Sequence, residues 1–582
     1  MSFFDDASLA FLPSGAAGKD GKAYSIKPTD GTGDFTFSRG SNLAATRVGA
    51  DGLIEKGREN LITYSNDFTQ WTQLNTTPTS GQSGYDGTND ATEISFTAGS
   101  TRAIGNGGLV TSVVNFSVYV KAGTHDFIQF TPSNSATTFA NFEISASNPA
   151  TGNTGGLVID SSIEDVGNGW YRCSAVINNS GSGTMWIWIV NSLTSNRAST
   201  VSTDGTFFLQ DAQLEIGLAA TDYIPTTTTT AQAGVLENTP RLNYTTGVAN
   251  PSLLLEPSRT QLVTKSELFS GGFWGNYNST TTDNQTTAPD GLLTASKFSG
   301  TSDVTAHTLY LNPYPVVSGN DYTYSVFAKK NENNFIQINT GQGFGNLYAN
   351  FDLDNGVVGS FNTLDANIKP YLNGWFKCSV KANSSTSTGQ STFSLIQSST
   401  DVRNPSFNAL NNSVYIWGAQ LEQGSYPTSY IPNHSGGSVT RGVDVISKDL
   451  TSVINNNQMT MFVDVKSLTS ITTIIAADGF GDLRWYHQAG NRFRFYKMDD
   501  ADWITNSFVV NDGDKIALTI TDTQAKLFVN GAQVGTTFTL STSFQNFSNL
   551  NYNVGSSKNE WNQLLFFSTP LSDAECITLT TI

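Results

Sequence analysis

Charge is scarce in this chain. Only 14% of its 582 residues are Asp, Glu, Lys or Arg, which is low for a cytoplasmic enzyme. The charge present leans acidic, with 48 carboxylates against 31 Lys and Arg and a net charge of −17. A chain of that balance gains nothing by approaching phosphate, so nucleic acid and anionic membrane surfaces are poor partners, while neutral glycans or a basic protein platform suit it. Cysteine is scarcer still. Cys173, Cys378 and Cys576 are odd in number, cannot close a disulfide framework, and read as buried thiols. No apolar run reaches the ~18 residues of a membrane span. The opening MSFFDDASLAFLPSG has neither a basic start nor a sustained apolar core, so it does not read as a signal peptide. The histidines are four, His125, His307, His434 and His487. None stands in an HExxH or triad-like context, and His125 and His307 read as hydrogen-bonded structural residues.

What is plentiful is Gly, Ser, Thr, Asn and aromatic residues, a composition suited to strands and tight turns and poor for helices. A long internal repeat orders them. IEDVGNGWYRCSAVIN at residues 163–178 aligns with IKPYLNGWFKCSVKAN at 368–383. FSVYVKAG from Phe116 matches YSVFAKKN from Tyr324, and AQLEIGLAATDYIP from Ala212 matches AQLEQGSYPTSYIP from Ala419. RENLITYSNDFTQW from Arg58 parallels RTQLVTKSELFSGGFW from Arg259. Ordered matches at constant spacing mean two copies of one module. Their segments alternate apolar and polar residues, with Asn168-Gly169, Asn355-Gly356 and Asn373-Gly374 as turn signals. The expected fold class is all-β, with tandem β-sandwich jelly-roll modules at 58–230 and 258–438.

Residues 1–57 and 231–257 read as an attachment segment and linker hairpins, each with a related Gly-Leu/Val-Ile/Leu-Glu core at Gly52–Glu55 and Gly234–Glu237. Residues 439–582 read as a third β-sandwich, with a hairpin turning at Asn530-Gly531 and a short terminal helix capped by Ser572 and Glu575. On that map, a cut near residue 438 releases a folded C-terminal fragment.

The third region resembles concanavalin-like or laminin-G-like jelly rolls, on Phe528-Val529-Asn530-Gly531, Gly555-Ser556 and LLFFSTPLSDAEC. The tandem modules resemble the carbohydrate-binding-module-like domains of bacteriophage fibre and spike proteins. That likeness is carried by FSRGSNLAATRV with DGLIE, the ENL entry running from Glu59 to Trp71, NGWYRCS, and AQLE with YIP. The opening SLAFLPSGAAGKDGKAYSIKP is similar to the start of phage head-fibre or tail proteins. The resemblance implies a virion structural protein, a head fibre, decoration or tail fibre, made in the host cytoplasm and displayed on the particle surface. Its partners would be other virion proteins, through residues 1–57, and host surface glycans, with a homotrimer compatible but unspecified by any heptad repeat.

Glycan contact calls for aromatic faces beside polar groups. The candidates are Trp485, Tyr486, His487, Arg492, Arg494, Trp503 and Trp561, each balanced against a place in the sandwich core. Trp170 and Trp375 are assigned to the cores, whereas Trp186 and Trp188 share a face that is either core or binding surface. Glycoside cleavage needs two carboxylates across a groove. Glu215 and Glu422, repeated in AQLE, read instead as structural acids bonding loop amides. The expected protein is not an enzyme and needs no cofactor. Asp352–Gly356 fits a turn better than a calcium loop, although one structural calcium per module is compatible with such sandwiches. Two rivals stay open. A polysaccharide-degrading spike would show paired carboxylates in a groove, and a bacterial surface adhesin would carry an export signal or wall anchor.

Overall fold

The computed structural model describes the chain apart from residues 1–2, 15–17, 20, 41–42, 246–247, 271, 312, 452, 454–457, 470–472, 477–482, 489–491, 498–502, 505–509, 540–548, 554–557 and 582. For 18–19, 468–509, 549 and 551–553 the description is confined to the backbone. The chain is nearly all β, as its composition requires. Among the described residues the only α-helices are Phe3–Asp6 and Asp573–Thr581, and neither is long and apolar enough to cross a membrane.

Each repeat copy folds into two six-stranded antiparallel sheets, and the strand orders of the two copies correspond position by position. In the first copy Ser112–Ala122 lies between Trp170–Asn179 and Gly205–Ile216; in the second Asp321–Lys330 lies between Phe376–Asn383 and Ser413–Gln423. Successive strands pass back and forth between the sheets, as in a jelly roll. Inward positions fill two separate cores, around Phe116, Phe130 and Ile187 in one and Tyr324, Phe351 and Phe393 in the other. Cys173 and Cys378 are buried at equivalent registers, opposite Val118 and Val326. Asn168-Gly169 and Asn530-Gly531 have positive φ at both residues, which suits two-residue hairpins. Asn373-Gly374 does too, inside the short 3-10 turn Leu372–Gly374.

The modules are not beads on a string. Val113, Val176 and Leu218 of the first bury against Leu268 of the second. Lys265 crosses the same seam, with its ammonium donating to the Asn178 side chain at 3.0 Å and the His434 carbonyl at 2.7 Å.

The third sandwich departs from the expected domain map. Residues 1–57 and 231–257 are not free segments, because both supply strands to it. Leu9–Phe11 pairs with Lys558–Phe567, in register Leu9 to Phe566. Ser252–Leu255 pairs with the same strand, Leu253 opposite Trp561. Phe35–Ser38 pairs with Val445–Asp449 in the facing sheet. The core therefore mixes Leu9, Phe11, Phe35, Phe37, Leu253 and Leu255 with Met461, Val463, Ile516 and Leu564 from the C-terminal part. The physical reason is burial: LAF, FTF and LLL are apolar strands whose exposure costs roughly 1.5–3 kcal/mol per large side chain. The terminal helix packs Cys576 and Leu579 on the outer face against Phe462 and Phe528. Its start is the expected capping box, with the Glu575 carboxylate accepting from Ser572 N–H at 2.8 Å and Glu575 N–H donating to Ser572 Oγ at 3.4 Å.

A buried charge network ties these segments together. Arg241 pairs with Glu256 at 2.8 Å and with Asp444; Arg39 reaches Asp444 at 3.3 Å; Arg441 reaches Glu256 at 3.0 Å. All five side chains are fully buried. Glu256 also accepts from Ser429 N–H at 2.8 Å, which joins the second module to the network. Against the burial that opposes it, Arg441 and Arg241 hold the Glu256 carboxyl well below its ordinary range.

Two outcomes follow. Residues 439–582 expressed alone lack four of their strand partners, Leu9–Phe11, Phe35–Ser38, Ser252–Leu255 and Arg259–Gln261, and stay unfolded by circular dichroism; a cooperatively folding fragment would contradict this architecture. Asp444→Ala strands two buried guanidinium groups and lowers the stability of the whole chain in urea by about 3–5 kcal/mol.

Candidate functional site

The repeated AQLE…YIP string is a structural clamp in both copies. Gln213 Nε2 donates to Glu215 at 2.8 Å, and Glu215 accepts from Thr221 N–H at 2.9 Å and Thr221 Oγ1 at 2.6 Å. Gln420, Glu422 and Thr428 repeat this at 2.8, 2.8 and 2.6 Å. The Gln side-chain oxygens accept from Ile224 and Ile431 N–H, pinning YIP. Both carboxylates are thus committed to their own loops. Burial raises the Glu215 pKa, opposed by these bonds.

A cavity of about 690 Å³ lies where the two modules meet the hairpin formed by Thr46–Val48 and Ile54–Asn60. Ala231–Gly234 closes the hairpin's other edge. Gly234 is required there: its φ is +83° and a Cβ would sit 2.1 Å from the Lys56 carbonyl oxygen. The floor is Lys56, whose ammonium lies 2.7 Å from both Glu267 and Asp290 and 4.8 Å from the centre of the Trp417 ring. Tyr430 donates its hydroxyl to Glu267 at 2.9 Å, and His434 Nε2 lies 3.7 Å from the same carboxylate. Despite burial, Lys56 and His434 hold Glu267 low, whereas burial outweighs Lys56 and raises Asp290. Burial also pushes His434 down to about 4, and its Nδ1 meets no hydrogen-bond partner among the described residues.

The cavity walls are acidic. Against Arg47, Lys56, Arg58 and Arg172 stand Asp51, Glu55 and Glu59 of the hairpin, Glu215 and Asp222 of the first module, and Glu267 and Asp290 of the second. Arg172 leads out of the cavity onto an aromatic shelf, its guanidinium 5.3 Å from the centre of the Tyr119 ring. Tyr119 stacks on Tyr85 at 3.8 Å and 7°, and both are half-buried. Gln210, cross-strand from Tyr119, donates to Asp90 at 2.7 Å and Asp86 at 3.1 Å. The second copy has closed the matching face. Phe327 and Trp417 stand where Tyr119 and Gln210 do, and Ile54, Trp375 and Tyr430 bury them.

The expected glycan residues fall elsewhere. Trp485, Tyr486 and His487 lie on Leu483–Gln488, and Arg492 and Arg494 lie on the adjacent Arg492–Lys497, with Tyr486 opposite Arg494. Trp503 follows on Trp503–Ile504, opposite Tyr496. The side chains of these six lie outside the described residues. Trp561 is a correction: it is fully buried in the third core beside Leu253, because its strand is interior to the sheet, and it offers no face to solvent. Trp170 and Trp375 are buried. Trp186 and Trp188 point away from Met185, Ile187 and Ile189, which take the core side of Gly183–Ile189. His125 Nε2 lies 2.9 Å from the Val190 carbonyl, and His307 Nε2 lies 2.7 Å from that of Phe407, so both are structural. Asp352 caps a turn, accepting from Asp354 and Asn355 N–H. Among the described residues no group of three or more His, Cys, Asp or Glu has metal-holding geometry. Sequence reasoning missed Tyr85, Tyr119, Arg172 and Lys56. The one available signal was divergence between copies at Tyr119/Phe327 and Gln210/Trp417.

No protein-family model matches the chain, and no curated protein matches it. Among solved structures, the N-terminal CBM22-1-CBM22-2 tandem domain from Paenibacillus barcinonensis Xyn10C aligns at 12% identity over 63% of this chain and 98% of that one, with a TM-score of 0.20. Trypanosoma rangeli sialidase aligns at 11% identity over 94% and 98%, also with a TM-score of 0.20. The LG1-3 region of the laminin alpha2 chain aligns at 12% identity over 82% and 97%, with a TM-score of 0.13. At such scores none of them determines the fold or the ligand of this chain.

The buried imidazole gives a pH prediction. Its folded pKa lies below the unfolded value of about 6.5, so between the two the unfolded chain binds a proton that the folded chain refuses. Stability is then full above pH ~6.5 and is lost towards pH 4, by about 1.4 kcal/mol per unit. His434→Gln removes that loss, so the stability gap between the parent and this variant shifts by roughly 3 kcal/mol from pH 7 to 4. A gap that stays constant in urea unfolding at both pH values would contradict the assignment.

Proposed function

We propose that this chain is a non-enzymatic structural protein of a bacteriophage particle surface, a head fibre, decoration or tail-fibre component, that holds a neutral host glycan at the junction of its two modules. The observation that carries the glycan reading is the union, through Arg172, of a polar cavity of about 690 Å³ with the Tyr119–Tyr85 shelf. Aromatic faces accept the apolar faces of sugars, and clustered carboxylates, amides and guanidinium groups bond hydroxyls. The acidic lining disfavours sialylated or uronic ligands, because like charge in a partly enclosed cleft is costly. Placement on a phage particle rests on the sequence resemblance of FSRGSNLAATRV, NGWYRCS and AQLE…YIP. The non-enzymatic reading is supported by the commitment of Glu215 and Glu422 to their loops and of Glu267 and Asp290 to Lys56.

Many weak sites on one particle would give avidity without high affinity at any one of them. The strand Leu9–Phe11, within the segment expected to attach the chain to a particle, belongs to the third sandwich.

The test is retention of the purified chain on neutral and sialylated glycans and on host envelopes, with assay of new reducing ends. Neutral glycans are retained, sialylated ones are not preferred, no ends appear, and Tyr119→Ala weakens retention at least about tenfold, or ~1.4 kcal/mol. Unchanged retention in Tyr119→Ala would remove the shelf from the site, and new reducing ends would favour the polysaccharide-degrading reading.

A further inference from the structure

A second hollow, of about 70 Å³, lies on the other side of the hairpin, between the second module and the third sandwich. It has the opposite electrostatic character. Lys369 and Lys377, on Asp365–Pro370 and Phe376–Asn383, are directly opposite each other in the sheet. Lys558, from the strand Lys558–Phe567 of the third sandwich, lines the same space. Like charges directly opposite on a sheet destabilise it, and the first copy avoids the problem: the register partners there are Glu164 and Arg172. The second copy has therefore exchanged an acid–base pair for a base–base pair at the place where the module meets a cavity.

The nearby carboxylates do not balance this charge. Glu256 is held by Arg241 at 2.8 Å and Arg441 at 3.0 Å; Glu560 is held by Lys558 at 3.1 Å and Lys466 at 3.7 Å. Among the described residues no carboxylate lies within 4.0 Å of the Lys369 or Lys377 ammonium. Lys377 is 6% exposed and donates to the neutral Thr428 carbonyl at 2.7 Å. Ser379, Ser429, Asn243 and Asn367 add hydroxyl and amide groups to the wall.

We propose that this hollow binds one small oxyanion, with Lys369 and Lys377 supplying the charge. A space of about 70 Å³ matches a phosphate or carboxylate group, so the anion is either free or the protruding acid group of a larger molecule. Two pKa shifts agree with an unfilled demand for negative charge. Burial holds Lys377 down to about 8. The Lys558 charge holds Lys369 down to about 8, and because that residue is solvent-exposed, the neighbouring charge rather than burial is the cause that matters. An anion between them relieves both.

The experiment is calorimetric titration of the full chain with inorganic phosphate, and separately with glucuronate, in chloride buffer at constant ionic strength. The expected result is saturable binding of one equivalent of at least one probe at millimolar concentration. Phosphate alone saturating would identify a free ion, and glucuronate alone an acidic saccharide. Lys369→Glu restores the charge pattern of the first copy. It should fold with an unchanged or raised Tm while binding at least about tenfold more weakly, ~1.4 kcal/mol. Lys377→Met, read the same way, guards against a local effect at residue 369. No saturation by either probe, or binding unaltered in both variants, would overturn the proposal.

Discussion

The structure depends on one buried charge network. Arg39, Arg241, Glu256, Arg441 and Asp444 come from four stretches of chain, and none is exposed to water. Taking such groups out of solvent is favourable only when every partner is present. Arg241 without Asp444, or Glu256 without Arg441, would be an uncompensated buried charge. The network therefore acts as a check on assembly: the N-terminal strands, the inter-module hairpin and the C-terminal sandwich must all be in place before any of them is satisfied. Apolar burial supplies the affinity between these segments, and the ion pairs fix which segments meet.

Duplication explains the rest of the architecture, and divergence explains its chemistry. Both copies keep the Gln–Glu clamp and the Tyr that closes it, with Ser65 meeting Tyr223 and Ser266 meeting Tyr430 through their hydroxyls. On the outer sheet face they differ. The first copy leaves Tyr119 half-exposed beside a buried Gln210, and the second seals Phe327 and Trp417 beneath Ile54. A cross-strand Glu164–Arg172 pair in one becomes Lys369–Lys377 in the other. Positions that bear the fold stayed alike, and positions that face a junction changed.

The fold class, the two copies, the Asn-Gly hairpins and the Ser572–Glu575 capping box were legible because each is written in a short local pattern. The third domain was not. Nothing local to LAF at Leu9–Phe11 names Phe566 as its partner, more than five hundred residues away, and LLL at Leu253–Leu255 reads as an apolar interruption in a linker. Pairing across such distances is decided by which apolar edges remain uncovered after the modules fold, a property of the whole chain. The site was obscured for a related reason. The sequence places its clustered aromatics in the third domain, whose strand carrying Trp561 looks half-exposed until Leu9–Phe11 and Ser252–Leu255 are laid beside it. Tyr119 looks like a core residue until its counterpart Phe327 is seen to be the buried one.

The most direct test of the composite domain is native-state hydrogen exchange along the full chain. Segments that open together share one opening free energy. The structure predicts that amides of Leu9–Phe11, Ser252–Leu255, Met459–Thr469 and Lys558–Phe567 exchange as a single protected unit. Rapid exchange of Leu9–Phe11 or Ser252–Leu255 while the C-terminal strands stay protected would show the segments to be separable and would contradict the account.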